Sequence, residues 1–189
     1  MATKEIVLKE LKLKIVLAGG GTGGHIFPLI AVFRELKKLT DQRLVSLEAI
    51  FMGADTFDNK IFTDEKIKVI KIMSGKWRNY FSLLNFLDIF KIIFGIIQSL
   101  WYLWKEMPDI IFSKGGYGAL PVVIAGHLLG IPIVEHESDT VPGKSNTIAA
   151  NLAKKIIISF PSTKDYFPSE KTILIGNPIR DSILSNDIT

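Results

Sequence analysis

The chain has 189 residues, enough for one well-cored domain, and its 48% apolar and 22% charged residues are ordinary for a globular protein. It has no cysteine, which excludes a disulfide framework and any thiolate metal site, and its three histidines, His25, His127 and His136, are too far apart in sequence to suggest a metal. The net charge of +4 suits an anionic ligand or an anionic membrane surface without demanding a nucleic-acid partner.

Met1 to Lys12 is mixed and charged, which fits a frayed N-terminal extension or an extra edge strand. It carries no signal-peptide apolar region, so a cytoplasmic protein is expected. Leu13 to Ala18 is apolar and reads as a buried parallel strand. Leu29 to Leu39 reads as a helix, with Leu29, Ile30, Val32, Phe33, Leu36 and Leu39 at helical spacing and Arg34, Glu35, Lys37 and Lys38 facing away. Pro28 suits the first turn of that helix, where its missing N–H has no partner to lose.

Between strand and helix lies Gly19-Gly20-Gly21-Thr22-Gly23-Gly24-His25. Glycines let another molecule approach the backbone closely, and a helix N-terminus offers unpaired N–H groups to an anion. The turn therefore suits a phosphate, a pyrophosphate or a developing negative charge. Gly19, Gly21 and Gly24 also satisfy the dinucleotide fingerprint, which needs an acidic residue about twenty positions on. The next strand, Leu47 to Met52, ends at Gly53, and Asp55 comes too late to supply that acid.

Lys66 to Met73 alternates charged and apolar residues and reads as a third strand with one wetter face. Ser74 to Tyr80 is a polar loop carrying Lys76, Trp77 and Arg78. Phe81 to Lys105 is helical in length and very apolar, interrupted by Asp88, Lys91 and Gln98. Charges near its middle make a membrane-spanning helix costly. Two alternatives stand: a core helix covering the sheet, or a helix with one face on a membrane surface. Pro108 ends it, and Asp109 to Ser113 is a fourth strand. Lys114 to Gly118 is a second glycine-rich turn before a helix, Leu120 to Leu129, closed by Gly130. Ile131 to Glu135 is a fifth strand, followed by the turn His136-Glu137-Ser138-Asp139. Ser145 to Ala153 is a helix, and Lys155 to Phe160 and Lys171 to Ile175 are the last strands. Strands alternating with helices imply an α/β fold of the Rossmann-like, doubly wound parallel type. Ligands bind such sheets outside the carboxyl ends of the strands, so the three turns share one rim.

The string Gly20 to His25 followed by Pro28 resembles the N-terminal signature of the peptidoglycan N-acetylglucosaminyltransferase family, MurG. The resemblance extends through Gly115-Gly116-Tyr117 with Pro121, Gly130-Ile131-Pro132, His136 to Asp139, Pro142-Gly143, Asn146 and Gly176-Asn177-Pro178-Ile179-Arg180. It implies the N-terminal half of a two-domain GT-B glycosyltransferase, with residues 1–189 forming a single Rossmann-like acceptor-binding domain. It also implies transfer of N-acetylglucosamine from UDP-GlcNAc to lipid I, the undecaprenyl-linked acceptor, at the inner face of the cytoplasmic membrane. A C-terminal donor-binding half is then an expected partner, without which this chain is expected to be inactive. The alternative is a membrane-associated nucleotide-binding or docking subunit with no catalysis of its own.

Transfer to a sugar hydroxyl needs a base for its proton and stabilisation for the departing pyrophosphate. His25 is the first candidate base, because a helix N-terminus disfavours the imidazolium and keeps the ring able to accept a proton. Acceptor contact and simple capping are its other roles. Glu137 is the second catalytic candidate, as base, orienter of His25 or hydroxyl ligand, against a salt-bridged loop carboxylate. The resemblance assigns acceptor and pyrophosphate binding to Gly20, Gly21, Thr22, Gly23, Gly24, Gly115, Gly116 and Tyr117, the last of which has packing as its other role. It assigns donor contacts to Thr22, Gly23, Gly24, Asp139 and Arg180. Asp139 stands where many members have Asn, and Arg180 reads equally as a surface arginine. His127 is expected in the core of its helix, and His136 is expected to be structural. No metal and no cofactor are called for, because glycine-rich turns and helix dipoles can neutralise a pyrophosphate.

Overall fold

The computed structural model describes residues 11–20, 22–54, 60–75 and 83–178. Among these residues seven strands form one parallel sheet: β1 (Leu11–Gly19), β2 (Val45–Gly53), β3 (Lys68–Lys71), β4 (Ile110–Ser113), β5 (Ile133–Glu137), β6 (Lys155–Ile158) and β7 (Thr172–Leu174). Their spatial order is β3-β2-β1-β4-β5-β6-β7. The chain runs outward from β1 to β3, then returns to β1's other side, so the order reverses between β1 and β4. That reversal opens the crevice in which doubly wound sheets bind ligands.

Alternate side chains of β1 feed two cores, because successive side chains of a strand point to opposite faces. Ile15 and Leu17 pack with Leu29, Ile30 and Phe33 of helix α1 (Gly23–Gln42) and with Phe62 of the short α2 (Lys60–Asp64). Val16 and Ala18 pack on the opposite face, with α4 (Leu120–Leu128) and α5 (Lys144–Leu152). Outside α4 lies α3 (Leu83–Glu106), which reaches this core through Ile96, Leu100 and Leu103. At Gly95 the helix meets the Met73 carbonyl so closely that a Cβ would collide with it. The Met73 N–H donates to Gln98 Oε1 over 2.9 Å, fixing α3 to the segment after β3.

Several expected boundaries move. α1 begins at Gly23, with Thr22 as its extended N-cap, so Pro28 lies inside the helix rather than in its first turn. Burial of Ile26, Leu29 and Ile30 holds the helix together despite two leading glycines and an internal proline, an example of packing overriding propensity. β5 starts and ends two residues later than expected, which makes His136 and Glu137 strand residues, each 1% exposed. Leu11 and Lys12 belong to β1, and residues 1–10 lie outside the described residues. His127 is exposed on α4 and is not a core residue, because the buried side of that helix falls on Val122, Val123, Ala125 and Gly126. Two elements were not anticipated: α2 and a 3-10 turn at Pro161–Tyr166.

α3 is buried along one side and exposed along the other, so it is not wholly a core helix. One side packs on α4, while Phe86, Phe90, Ile93, Phe94, Ile97, Trp101 and Trp104 stand 49–63% exposed on the other. Asp88 is buried and pairs with Lys91 over 3.2 Å, which gives the interrupting charges a local partner. Among the described residues no helix is long and apolar enough to cross a membrane. The loop residues Lys76, Trp77 and Arg78, and Phe81, lie outside the described residues.

Candidate active site

β1, β4 and β5 are neighbours in the sheet, so the segments that leave their carboxyl ends meet at one place. The first is the Gly20–Gly24 turn, the second Lys114–Gly118 and the third Ser138–Asp139. Hydrogen bonds join all three. His25, in the first turn of α1, uses Nδ1 toward the Lys114 carbonyl oxygen at 3.2 Å. Gly116 donates its N–H to Asn146 Oδ1 over 2.7 Å, and Asn146 Nδ2 donates to Glu137 Oε2 over 2.8 Å. Glu137 Oε1 accepts the Asp139 N–H at 2.9 Å. Asp139 is also held through its carbonyl, which accepts the Thr163 hydroxyl at 3.0 Å from the 3-10 turn.

The Lys114 carbonyl can only accept, so the proton of neutral His25 sits on Nδ1. Nε2 is left with its lone pair, and it lies beside Gly116, where a Cβ would come within 3.0 Å of it. Gly116 adopts φ +80°, which L side chains rarely accept, so glycine serves there for both conformation and space. Burial of the ring is the main reason that the His25 pKa falls below its ordinary value. The bond to Lys114 opposes this, the Lys114 charge adds to it, and Asp139 and Glu137 pull the other way. The imidazole is therefore neutral at neutral pH and able to take a proton.

Beneath the turns lies a cluster of buried titratable side chains, Lys114, Glu135 and His136. Lys114 is 1% exposed, and its ammonium donates to Ser138 Oγ over 2.7 Å. Burial lowers its pKa, while Glu137, Glu135 and Asp139 raise it. Glu135 is fully buried. Burial pushes its pKa up to about 8, with the Glu137 charge adding to the effect and Ser113 and Lys114 opposing it. Glu135 is thus mostly protonated at neutral pH. His136 is held by the Gly176 carbonyl at 3.1 Å and stacks on Phe112, and burial brings its pKa down to about 4.

The sequence-predicted residues divide accordingly. His25, Gly116, Glu137 and Asp139 come together. Thr22 and Gly24 are exposed at the start of α1, with Gly20 and Gly23 beside them in sequence. Gly115 and Tyr117 flank Gly116 in the second turn. Gly21 and Arg180 lie outside the described residues. Lys114, Ser138 and Asn146 carry connections to which sequence reading gave no role. The available signals were a lysine placed directly after an apolar strand, and an asparagine at the start of a helix facing a glycine turn.

The glycosyltransferase family 28 N-terminal domain matches residues 15–158. A Clostridium botulinum protein named UDP-N-acetylglucosamine--N-acetylmuramyl-(pentapeptide) pyrophosphoryl-undecaprenol N-acetylglucosamine transferase is 41% identical over 175 residues, which are 92% of this chain and 48% of that protein. Its Clostridium tetani namesake is 40% identical over 174 residues, 92% of this chain and 47% of the relative. Among solved structures, Acinetobacter baumannii MurG superposes with a TM-score of 0.68 at 27% identity, covering 90% of this chain and 46% of that one. The UDP-GlcNAc 2-epimerase from Methanocaldococcus jannaschii shares the fold, with a TM-score of 0.60 at 19% identity over 88% of this chain and 46% of that one. The chain spans about half the length of the relatives it matches. It belongs to glycosyltransferase family 28 and carries that family's N-terminal domain.

Proposed function

We propose that the chain is the acceptor-binding half of a transferase that moves N-acetylglucosamine from UDP-GlcNAc to undecaprenyl-pyrophosphoryl-MurNAc-pentapeptide. In that reaction the acceptor hydroxyl attacks the anomeric carbon of the donor sugar. Its proton passes to Nε2 of His25, the bond from the anomeric carbon to the phosphate oxygen breaks, and UDP leaves with the electron pair. The observation that carries this is the state of His25: a neutral ring, its Nδ1 proton committed to Lys114, and its Nε2 on the rim beside Gly116.

The remaining roles follow from the same rim. The α1 N-terminus, with Gly20, Gly21, Thr22, Gly23 and Gly24, offers backbone N–H groups to a pyrophosphate. Gly115, Gly116 and Tyr117 form the second wall for the acceptor. Both oxygens of Glu137 are engaged in holding Asp139 and Asn146, so Glu137 is a positioning residue and His25 is the base. Asp139 and Arg180 meet the donor sugar from this half, and a C-terminal half supplies the rest of its site. The exposed apolar side of α3 rests on the inner face of the cytoplasmic membrane, where a polyprenyl-linked acceptor resides.

The test is reconstitution. The chain is mixed with the C-terminal half of the Clostridium botulinum relative and assayed for transfer from UDP-GlcNAc to lipid I. Product is expected with both halves and not with this chain alone. Robust turnover by the chain alone would overturn its assignment as a half-enzyme. Absence of turnover in a folded, associated pair would favour a docking role.

A further inference from the structure

We infer that Lys114 and Ser138 form a polarised donor pair in which the Ser138 hydroxyl binds a pyrophosphate oxygen of a substrate. The inference rests on the transferase function proposed above. A lysine ammonium has three donors and no acceptor. At 2.7 Å it fixes Ser138 Oγ as the acceptor of their bond, so the serine proton must point elsewhere. No acceptor for that proton exists among the described residues, and Ser138 is half-buried at the rim while Lys114 is 1% exposed beneath it. The hydroxyl is the outer end of a two-member chain whose inner end is a buried cation.

Such a chain strengthens its last donor. An oxygen that accepts from an ammonium releases its own proton more readily into a second bond, and low local polarity increases the effect. A charge-assisted bond prefers a charged acceptor, which on this rim is a phosphate oxygen rather than a neutral sugar hydroxyl. The neighbours keep the hydroxyl available. Glu137, next in sequence, has both oxygens occupied by Asp139 N–H and Asn146 Nδ2. Glu135 is mostly protonated and buried below. The backbone of Lys114 also places the pair against the base: its N–H donates to the Ala18 carbonyl at 2.9 Å, and its carbonyl receives His25 Nδ1. One residue thus sets His25 with its main chain and Ser138 with its side chain.

Both substrates of the proposed reaction contain a pyrophosphate, and steady-state kinetics of the reconstituted enzyme tell them apart. Ser138→Ala is expected to raise the KM for one substrate, lipid I or UDP-GlcNAc, by roughly tenfold or more, the loss expected for a bond to a charged group, in an enzyme that stays folded although the buried Lys114 ammonium loses its acceptor and the melting temperature falls by some degrees. Ser138→Thr, which keeps the hydroxyl, should restore KM to within about threefold. Lys114→Met should raise the same KM, and the double variant should be no worse than the worse single one, because the two act as a unit. If Ser138→Ala leaves both KM values unchanged while the parent enzyme turns over, the donor pair is refuted and the transferase function stands. A large fall in melting temperature with unchanged KM also refutes it, by reducing the serine to a structural acceptor for Lys114. If the parent pair shows no transfer at all, the proposed function fails and the donor pair falls with it.

Discussion

Asn146 donates a hydrogen bond from its Nδ2 N–H to Glu137 Oε2 over 2.8 Å and accepts the Gly116 N–H on Oδ1 over 2.7 Å. One buried amide therefore ties the second glycine turn to the end of β5. Through the other oxygen of Glu137 the tie continues to Asp139. Replacing Asn146 by Ala leaves a carboxylate oxygen and a backbone N–H without these partners. Each such loss costs about 1–3 kcal/mol, so the expected destabilisation is about 2–6 kcal/mol, or roughly 4–24 °C in Tm. Thermal and urea unfolding check it, and a loss below about 1 kcal/mol would show that water replaces the amide without penalty.

His25→Ala is expected to lower kcat in the reconstituted pair by roughly a hundredfold or more, the range of a general base. The ring is only partly buried, so the fold should survive and UDP-GlcNAc affinity should change little. Burial keeps the His25 pKa below its ordinary 6.5. The parent should therefore lose activity as pH falls through an acidic limb below that value, and the Ala variant should lack the limb. Near-normal kcat in the variant would reduce His25 to a capping residue.

Glu135 and His136 are adjacent on β5 and titrate in opposite directions. Glu135 rises from 4.5 to about 8, so the folded state holds its proton more tightly, and its contribution to stability is lost as pH rises across that window. His136 falls from 6.5 to about 4, so the folded state resists its protonation, and stability is lost as pH falls from 6.5 toward 4. Between pH 6.5 and 8 Glu135 acts with no opposing change at His136. Glu135→Gln should flatten the decline in stability over that range, which urea titrations at a series of pH values would measure. An unchanged slope would mean that Glu135 ionises freely in the fold.

The exposed face of α3 should bind lipid. The chain is expected to co-sediment with vesicles containing anionic phospholipid, more weakly as salt rises, because screening removes the Lys and Arg contribution. A triple change of Ile93, Phe94 and Ile97 to Ser removes the centre of the exposed stripe and should reduce binding at least severalfold without unfolding the helix, since these side chains lie off the α4 contact. Equal absence of binding to anionic and neutral vesicles would leave the stripe to a protein partner.

The sequence by itself determined the parallel α/β class, each of the seven strands, the long apolar helix and the three turns on one rim. These follow from local signals: apolar runs of strand length, helical periodicity, and glycine or proline at the breaks. The resemblance carried by Gly20–His25, Gly115–Tyr117 and Gly176–Arg180 points to the family from sequence alone. What only the tertiary structure decided depends on contacts between residues distant in the chain. α1 starts at Gly23 rather than Leu29 because packing of Ile26 onto the sheet outweighs the poor propensity of two glycines. β5 runs on to Glu137 because its pairing with β6 extends through Glu137 and Ile158, which no local pattern records. Burial of His136 and exposure of His127 depend on which side of each element meets a neighbour. The connections of Lys114 and Asn146, and the choice among the candidate roles of Glu137, are illegible for the same reason. A polar side chain in sequence shows what it can donate or accept, and only the fold shows that Lys114 meets Ser138 and that Asn146 stands between Gly116 and Glu137.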